Sequence, residues 1–301
     1  MGLMIANPAY YLDSARRALS LFFASVLPSL FPFYFCSLLL TYMGMVGSIS
    51  KLGERPMRAL YNTPKESAYI LMLSMLCGYP VGASTCAELY EGNIINKNDV
   101  KSISAFASTS GPVFILGTVG SAIFHNKAIG WIILLSHYAA SLLNGLIYRK
   151  RKREEQSVGV LKKEDADNLL ARVISKATLN MLYVGGYIVI CGMIIDTLEL
   201  LGVRNALYSA LDESTAQCII SLLYGAIEMT RGSLECAQCP IHFAVAICSA
   251  LITFGGLSIT LQNYTFLSKC KMKMSEILLR KCTQCLIAGL VAFGLSFCLK
   301  L

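Results

Sequence analysis

The sequence predicts an all-α polytopic membrane protein, arranged as an inverted repeat with three membrane spans and one re-entrant hairpin in each half. Of the 301 residues, 55% are hydrophobic and only 15% are charged. A soluble domain with so few charges could not solvate its surface. Two apolar runs, Leu76–Glu91 and Leu223–Glu235, are each interrupted by glycine and then carry polar and charged residues. Broken runs at corresponding places in two halves of a chain are typical of a transporter binding site.

The first half begins with an apolar run from Ala18 to Ile49, in which Pro28 and Pro32 predict a kink. About 20 apolar residues are needed to span a bilayer. Three more runs follow: the broken run Ser67–Tyr90, the span Val100–Phe124 with an interruption at Ser108–Pro112, and the span Ile129–Tyr148.

The second half repeats this order after a charged linker. Its runs are the span Thr178–Leu200, the broken run Ser214–Glu235, the span Ile241–Leu267 with an interruption at Gly255-Gly256, and the span Cys282–Cys298. The predicted units are an N-terminal segment (1–17), a first membrane repeat (18–148), a charged cytoplasmic linker (149–172) and a second membrane repeat (173–301).

Basic residues predict the orientation. They are concentrated in the blocks 51–65, 149–176 and 269–281, which we expect to be cytoplasmic. The first two blocks share a side only if Ser67–Tyr90 enters and leaves the membrane from the cytoplasm as a re-entrant hairpin. By the same reasoning Ser214–Glu235 enters from the outside, because the loops around it are poor in Lys and Arg. Arg16 and Arg17 do not fit this scheme, which places them outside.

The candidate site consists of the two hairpin tips and the two helix interruptions. Helices that end inside a membrane leave free N–H and C=O groups that can bind polar substrate groups and cations. If the four segments meet, they would surround a cavity of hydroxyls, one amide, one carboxylate and one guanidinium, with Arg231 available for an anionic group. The candidate substrate-binding residues are Gly78, Tyr79, Pro80, Gly82, Ser108, Thr109, Ser110, Gly111, Pro112, Glu228, Thr230, Arg231, Ser233, Gly255, Gly256, Ser258 and Gln262.

Each candidate also has a structural interpretation. Ser and Thr in membrane helices commonly bond to backbone carbonyls, and glycines allow close helix packing. Glu228 and Arg231 are three residues apart and could neutralise each other on one helical face. Glu88 and Glu235 fit the water interface, where the hairpins emerge. His137 and Asn144 fit hydrogen bonds between helices, and Asp196 fits a position near the outer surface.

The composition argues against several other functions. The net charge of +8 is distributed over short loops between apolar runs, so we expect no binding of nucleic acid. The sequence contains no phosphate-binding loop, no GxSxG elbow and no HExxH motif, so we expect no enzyme activity. The twelve cysteines lie mostly in apolar runs and fit unpaired thiols, with a disulfide at Cys236–Cys239 as the alternative if that loop faces an oxidising space. No cofactor or metal site is predicted, and whether Na⁺ or H⁺ serves as a coupling ion is left open.

Five segments carry a resemblance to a known family: SVLPSLFPF, GYPVGASTCAELYEGN, FASTSGPVFILGTVGSAIF, LLSHYAASLLNG and TFGGLSITLQ. They resemble the sporulation integral membrane protein YlbJ family, within the wider group that carries the nucleoside-recognition Gate domain. The most specific motifs are GYPVGA (Gly78–Ala83) and STSGP (Ser108–Pro112). The resemblance implies a multi-pass protein of the bacterial cell membrane, in the mother cell or the forespore, that is required for sporulation.

The order of elements is also similar to the core of concentrative nucleoside transporters, in which two inverted hairpins and two broken helices hold the substrate. This resemblance implies an elevator-type carrier for a small polar or anionic solute, nucleoside-like or other. The alternative is a non-transporting membrane scaffold for assembly of the spore envelope. The expected partners are the lipid bilayer and a small-molecule substrate; self-association into a homo-oligomer and contacts with other sporulation membrane proteins are left open.

Overall fold

The computed structural model describes residues 1–150 and 166–298, and within these ranges the chain forms helices and no strands. The helices of the first half are α1 (Gly2–Ala6), α2 (Pro8–Leu21), α3 (Leu27–Tyr42), α4 (Val46–Ser50), α5 (Glu54–Pro56), α6 (Glu66–Cys77), α7 (Val81–Glu91), α8 (Lys97–Ile103) and α9 (Lys127–Ile147). Those of the second half are α10 (Ala166–Leu200), α11 (Val203–Ala210), α12 (Glu213–Ile227), α13 (Met229–Cys236), α14 (Ile241–Phe254), α15 (Gly256–Leu267) and α16 (Met274–Cys298).

The described residues contain four helices long and apolar enough to cross a membrane, or five if one bent pair is a single span. The four are Lys127–Ile147, Asn168–Leu200, Ile241–Leu267 and Met274–Cys298. The predicted span Val100–Phe124 is not among them, because it is divided into the short helix α8 and a π-helical segment, Val113–Ile123. The chain is a multi-pass membrane protein, as predicted.

The bent pair is the first predicted span. Helix α2 begins at Pro8, so the helix runs across the predicted boundary at residue 17, and α2 and α3 meet at 52°. The break immediately precedes Pro28, which has no N–H to donate to the preceding turn and whose ring clashes with it. Likewise α10 begins at Ala166, inside the predicted linker, whose residues 151–165 lie outside the described ranges.

The first broken run forms a hairpin of α6 and α7, which we call hairpin 1. Its tip contains Gly78, Tyr79 and Pro80, with a cis peptide bond between Tyr79 and Pro80. The backbone of Gly78 has φ +81°, and a Cβ there would lie 2.6 Å from the amide nitrogen of Gly111. Glycine is therefore required both for the turn and for the close approach to the interruption between α8 and the π-helical segment, called break 1 (residues 107–111).

The second broken run forms hairpin 2, from α12 and α13, with Glu228 at its tip. The interruption between α14 and α15, at Gly255-Gly256, is called break 2, and both glycines have positive φ. A Cβ on Gly256 would lie 2.9 Å from the carbonyl oxygen of Gly225 and 3.0 Å from that of Ile227. In each half, therefore, a glycine allows the hairpin tip to touch the interrupted helix.

Two apolar cores surround these elements. One joins α2 to α4 and α6 to α8 with α10, the end of α15 and the start of α16, and the other joins the π-helical segment with α9, α13, α14 and α16. A smaller cluster of Tyr79, Met229 and Ile259, with Phe114 beside it, lies where the hairpin tips and breaks meet. The final helix, α16, packs along both α9 and α14.

The contact between the two arms of hairpin 2 can be tested at Gly232. A Cβ at this position would lie 2.2 Å from the Cα of Gly225, and backbone cannot move aside as a flexible side chain can. We expect Gly232→Ala to destabilise the protein by about 1–3 kcal/mol or more, which would appear as a lower melting temperature in detergent. The control is Gly186→Ala in α10, where a Cβ meets no atom within 4 Å. Equal melting temperatures for the two variants would contradict the described packing.

Candidate functional site

Both hairpin tips, break 1 and the first turns of α15, which directly follow break 2, line one cavity, whose remaining walls come mainly from α3, α10 and the start of the π-helical segment. Sequence-predicted residues on its surface are Tyr79, Ser110, Gly111, Glu228, Thr230, Ser258 and Gln262. The first three come from the first half and the other four from the second half, although they are far apart in sequence. The facing wall is mainly apolar and includes Leu30, Phe33, Val184 and Ile188.

The cavity is narrow in this conformation. About 50 Å³ is open to the centre of a water-sized molecule. A single water needs roughly 10–15 Å³ by this measure, so the space fits a few waters. A solute as large as a nucleoside would enter only if the hairpins or the α3–α10 wall moved.

Gln262 presents an unused hydrogen-bond acceptor in this cavity. Its amide nitrogen donates to the Ser258 hydroxyl at 3.2 Å, whereas its Oε1 atom is buried and has no partner in residues 1–150 and 166–298. Nearly all buried polar atoms in proteins are hydrogen-bonded. A donor from water or from a solute is therefore needed at this position.

Glu228 places a carboxylate at the edge of the same cavity. It is 4% exposed and is the residue that caps the N-terminus of α13, where its Oε2 accepts the backbone N–H of Arg231 at 2.9 Å. A carboxylate is favoured at a helix N-terminus, because the free N–H groups and the helix dipole are positive there. The helix end predicted to attract an anionic solute is thus already occupied by a side chain of the protein.

The expected ion pair between Arg231 and Glu228 is not among the described ion pairs, and Arg231 does not line this cavity. Its guanidinium donates instead to Asp196 Oδ1 at 3.1 Å, and Asp196 Oδ2 accepts from Arg17 at 2.8 Å. These groups line a neighbouring cavity, which Glu228 also borders. Asp196, which the sequence predicts near the outer surface of the membrane, is 4% exposed and lies between two arginines from other helices.

The other predicted residues lie around the cavity rather than on its surface. Thr109 is held by Ser74, whose hydroxyl accepts the Thr109 backbone N–H at 3.1 Å, and Ser233 donates to the Met229 carbonyl oxygen. A Cβ on Gly82 would lie 2.2 Å from the Ala107 carbonyl oxygen, so this glycine allows hairpin 1 to approach break 1. The remaining members, which form the turns and ends of the broken helices, are Gly78, Pro80, Ser108, Pro112, Gly255 and Gly256.

A polar network directly behind the cavity includes a residue that sequence reasoning missed, Lys281. We assigned it to a basic loop, but it lies inside α16 and is 2% exposed. Its Nζ donates to Tyr79 Oη at 2.7 Å, to the Ser108 carbonyl at 3.0 Å and to the Thr253 carbonyl at 3.1 Å. The signal available in the sequence was the repeat of small and polar residues along one face of α16, where Lys281, Gln284, Ala288, Ala292 and Ser296 are all buried.

His137 fastens the same region from α9, as predicted for a hydrogen bond between helices. Its Nε2 accepts the backbone N–H of Ser110 at 2.8 Å, and its Nδ1 is 2.7 Å from the Thr253 hydroxyl. The Thr253 hydroxyl in turn donates to the Ser249 carbonyl, so Nδ1 carries the proton and donates. The imidazole therefore joins break 1 to the end of α14. Asn144 lies two helical turns further along the same face of α9, and its side-chain amide donates to the Ala105 carbonyl at 2.7 Å.

The two glutamates at the ends of the hairpins are paired. Glu88 forms an ion pair with Lys176, and Glu235 forms one with Arg204 at 2.6 Å. All twelve cysteines lie in the described ranges and are free thiols, so the alternative of a disulfide at Cys236–Cys239 is not observed.

Comparison with known proteins supports the resemblance drawn from the motifs. The chain is 24% identical over 311 aligned residues to the sporulation integral membrane protein YlbJ of Bacillus subtilis (strain 168), covering 93% of this chain and 76% of that protein. The chain is thus similar to this protein over most of its own length. No family model matches the sequence, and no solved structure matches the fold, so membership of the Gate-domain group and similarity to concentrative nucleoside transporters stay predictions.

The role of Asp196 as the counter-charge of two arginines can be tested by Asp196→Asn. We expect a loss of about 1–3 kcal/mol of stability, less than the ~3–5 for a fully buried pair, because both arginines are partly exposed. The matched control is Asp13→Asn, since Asp13 pairs with Arg17 but is 60% exposed. Melting temperatures in detergent measure both effects. An Asp196→Asn/Arg231→Gln double variant should be more stable than the sum of the single effects predicts; strict additivity would contradict the pairing.

Proposed function

We propose that the chain is a carrier for a small polar solute, used in sporulation, and that its two halves form an inverted repeat with re-entrant hairpins. The observation that supports this proposal is the convergence of both hairpin tips, break 1 and the start of α15, just after break 2, on one cavity. Interrupted helices at membrane depth are tolerated where they are buried in protein or line a cavity, and in transporters they form the substrate site. The similarity to the sporulation integral membrane protein YlbJ supports the cellular role.

The chemistry of the cavity favours a solute rich in hydrogen-bond donors. Its polar surface consists of hydroxyls from Ser29, Ser110, Thr230 and Ser258, the unpartnered Gln262 Oε1, and the Glu228 carboxylate. No Lys, Arg or His is among the described lining residues. Polyols, nucleosides and small amines carry the O–H or N–H groups that these acceptors require, whereas an anionic solute would meet Glu228 without a compensating cation.

An elevator-type movement would enlarge the cavity. In this proposal the hairpins and broken helices carry the solute past the apolar wall formed by α3 and α10. The narrow cavity then represents a closed conformation, with the Leu30 and Val184 side of the wall apposed to the hairpin tips.

The proposal is tested by thermal stabilisation of the purified protein with a panel of polyols, nucleosides, small amines and dicarboxylates. A ligand that binds the folded state at 100 times its Kd stabilises it by about 2.7 kcal/mol, so a donor-bearing solute should raise the melting temperature. We expect Gln262→Met to remove this shift, because it keeps the side-chain volume but lacks the acceptor. Gln238→Met, at an exposed position after α13, is the control and should keep the shift.

Uptake of the stabilising solute into proteoliposomes then distinguishes a carrier from a binding protein. Stabilisation by dicarboxylates alone would contradict the donor-rich solute class. Folded protein that no member of the panel stabilises and that transports none of them would favour the membrane scaffold.

A further inference from the structure

The buried ammonium of Lys281 has no acidic partner among the residues that the structure describes. All described carboxylates that form ion pairs do so with other basic residues, and Lys281 takes part in none of these pairs. An isolated buried charge is costly unless other groups replace its hydration. Something other than a salt bridge must therefore stabilise this cation.

Three oxygen atoms replace the water. Tyr79 Oη, the Ser108 carbonyl and the Thr253 carbonyl lie 2.7, 3.0 and 3.1 Å from Nζ, which matches the three N–H donors of an ammonium group. Nζ also lies 4.2 Å from the centre of the Tyr79 ring, close enough for a cation–π contact. The site is fully formed by the protein, with each donor used.

These oxygens come from three discontinuous elements. Tyr79 is at the tip of hairpin 1, Ser108 is in break 1, and Thr253 is in the last turn of α14, just before break 2. Carbonyl groups in the last turn of a helix have no partner within the helix and carry the negative end of its dipole. In carriers with interrupted helices, such carbonyls are the groups that coordinate inorganic cations.

We propose that the Lys281 ammonium is a tethered cation that fills a three-oxygen cation site between hairpin 1, break 1 and the end of α14. The protein therefore needs no Na⁺, Li⁺ or K⁺ at this place. The neighbouring His137 does not bind these three oxygens, because its two ring nitrogens are bonded to the Ser110 backbone N–H and the Thr253 hydroxyl. If the proposed carrier function holds, solute movement is not coupled to an inorganic cation through this site; the site itself does not depend on that function.

The test compares melting temperatures in sodium, lithium, potassium and choline chloride at equal ionic strength. The wild-type protein should melt at the same temperature in all four salts. In choline chloride, Lys281→Ala should melt at a lower temperature than the wild type. It should recover part of this loss in Na⁺ or Li⁺, because a small cation can bind the three oxygens in place of the ammonium and stabilise the folded state by mass action. Lys281→Met should be destabilised without recovery, since its chain fills the space but leaves no room for an ion.

Two further variants keep the test decisive. Lys273→Ala, at an exposed lysine before α16, is the control and should show neither loss nor cation dependence. Tyr79→Phe removes one of the three oxygens but keeps the lysine, so it should melt lower in every salt by the same amount.

A cation-dependent melting temperature in the wild type or in Tyr79→Phe would overturn the proposal, because an inorganic ion would then bind beside the lysine. Lys281→Ala that shows no more cation response than Lys281→Met, or that fails to fold in all four salts, would also overturn it. These results are independent of the solute panel, so failure of the carrier proposal would leave the cation site unaffected.

Discussion

The structure depends on satisfying the backbone groups that its two broken helices expose within a membrane protein. Each unpaired N–H or C=O in a hydrocarbon environment costs several kcal/mol. Here side chains from other elements bond these backbone groups. In break 1, Lys281 donates to the Ser108 carbonyl, Ser74 accepts the Thr109 N–H, and His137 accepts the Ser110 N–H. At the end of α14, Tyr79 and Lys281 both donate to the Thr253 carbonyl. The last helix of each half, α9 and α16, supplies one of these fastening residues. The packing of α16 against α9 and α14 follows from this requirement.

The protein's own charges occupy the helix ends that a transported ion would otherwise attract. The Glu228 carboxylate caps the positive end of α13, and the Lys281 ammonium lies against the negative end of α14. Arg231 is neutralised by Asp196. On the cavity surface, the buried side-chain atom left without a partner in the described part of the chain is the Gln262 carbonyl oxygen, a neutral acceptor. The cavity therefore presents a hydrogen-bond acceptor to a solute that carries donors.

Local signals in the sequence were sufficient for the backbone of the site but not for the pairing of its charges. Gly78, Pro80 and Gly255-Gly256 predicted the interruptions, because glycine and proline determine backbone geometry where they stand. The identity of Arg231's partner could not be predicted in this way, since Asp196 lies 35 residues earlier on another helix and their contact depends on tertiary packing. Lys281 was assigned to a loop because it ends a run of basic residues, although the buried face of α16 extends through it.

Each half contains a hairpin and an interrupted helix, but the charged residues around them differ between the halves. Glu88 and Glu235 lie at the far ends of the two hairpins, and each forms an ion pair. Glu88 is paired with Lys176 of α10, and Glu235 is paired with Arg204 of α11. At the breaks, the last helices of the two halves contribute different groups: α9 contributes a neutral imidazole, His137, and α16 contributes an ammonium, Lys281, and both contact break 1 and Thr253. A symmetric pair of neutral groups would have been enough to satisfy the backbone. The additional positive charge must therefore be explained by what lies around it, and the converging carbonyl oxygens of break 1 and α14 provide that explanation, because they create a site of negative potential that an uncharged side chain would leave uncompensated.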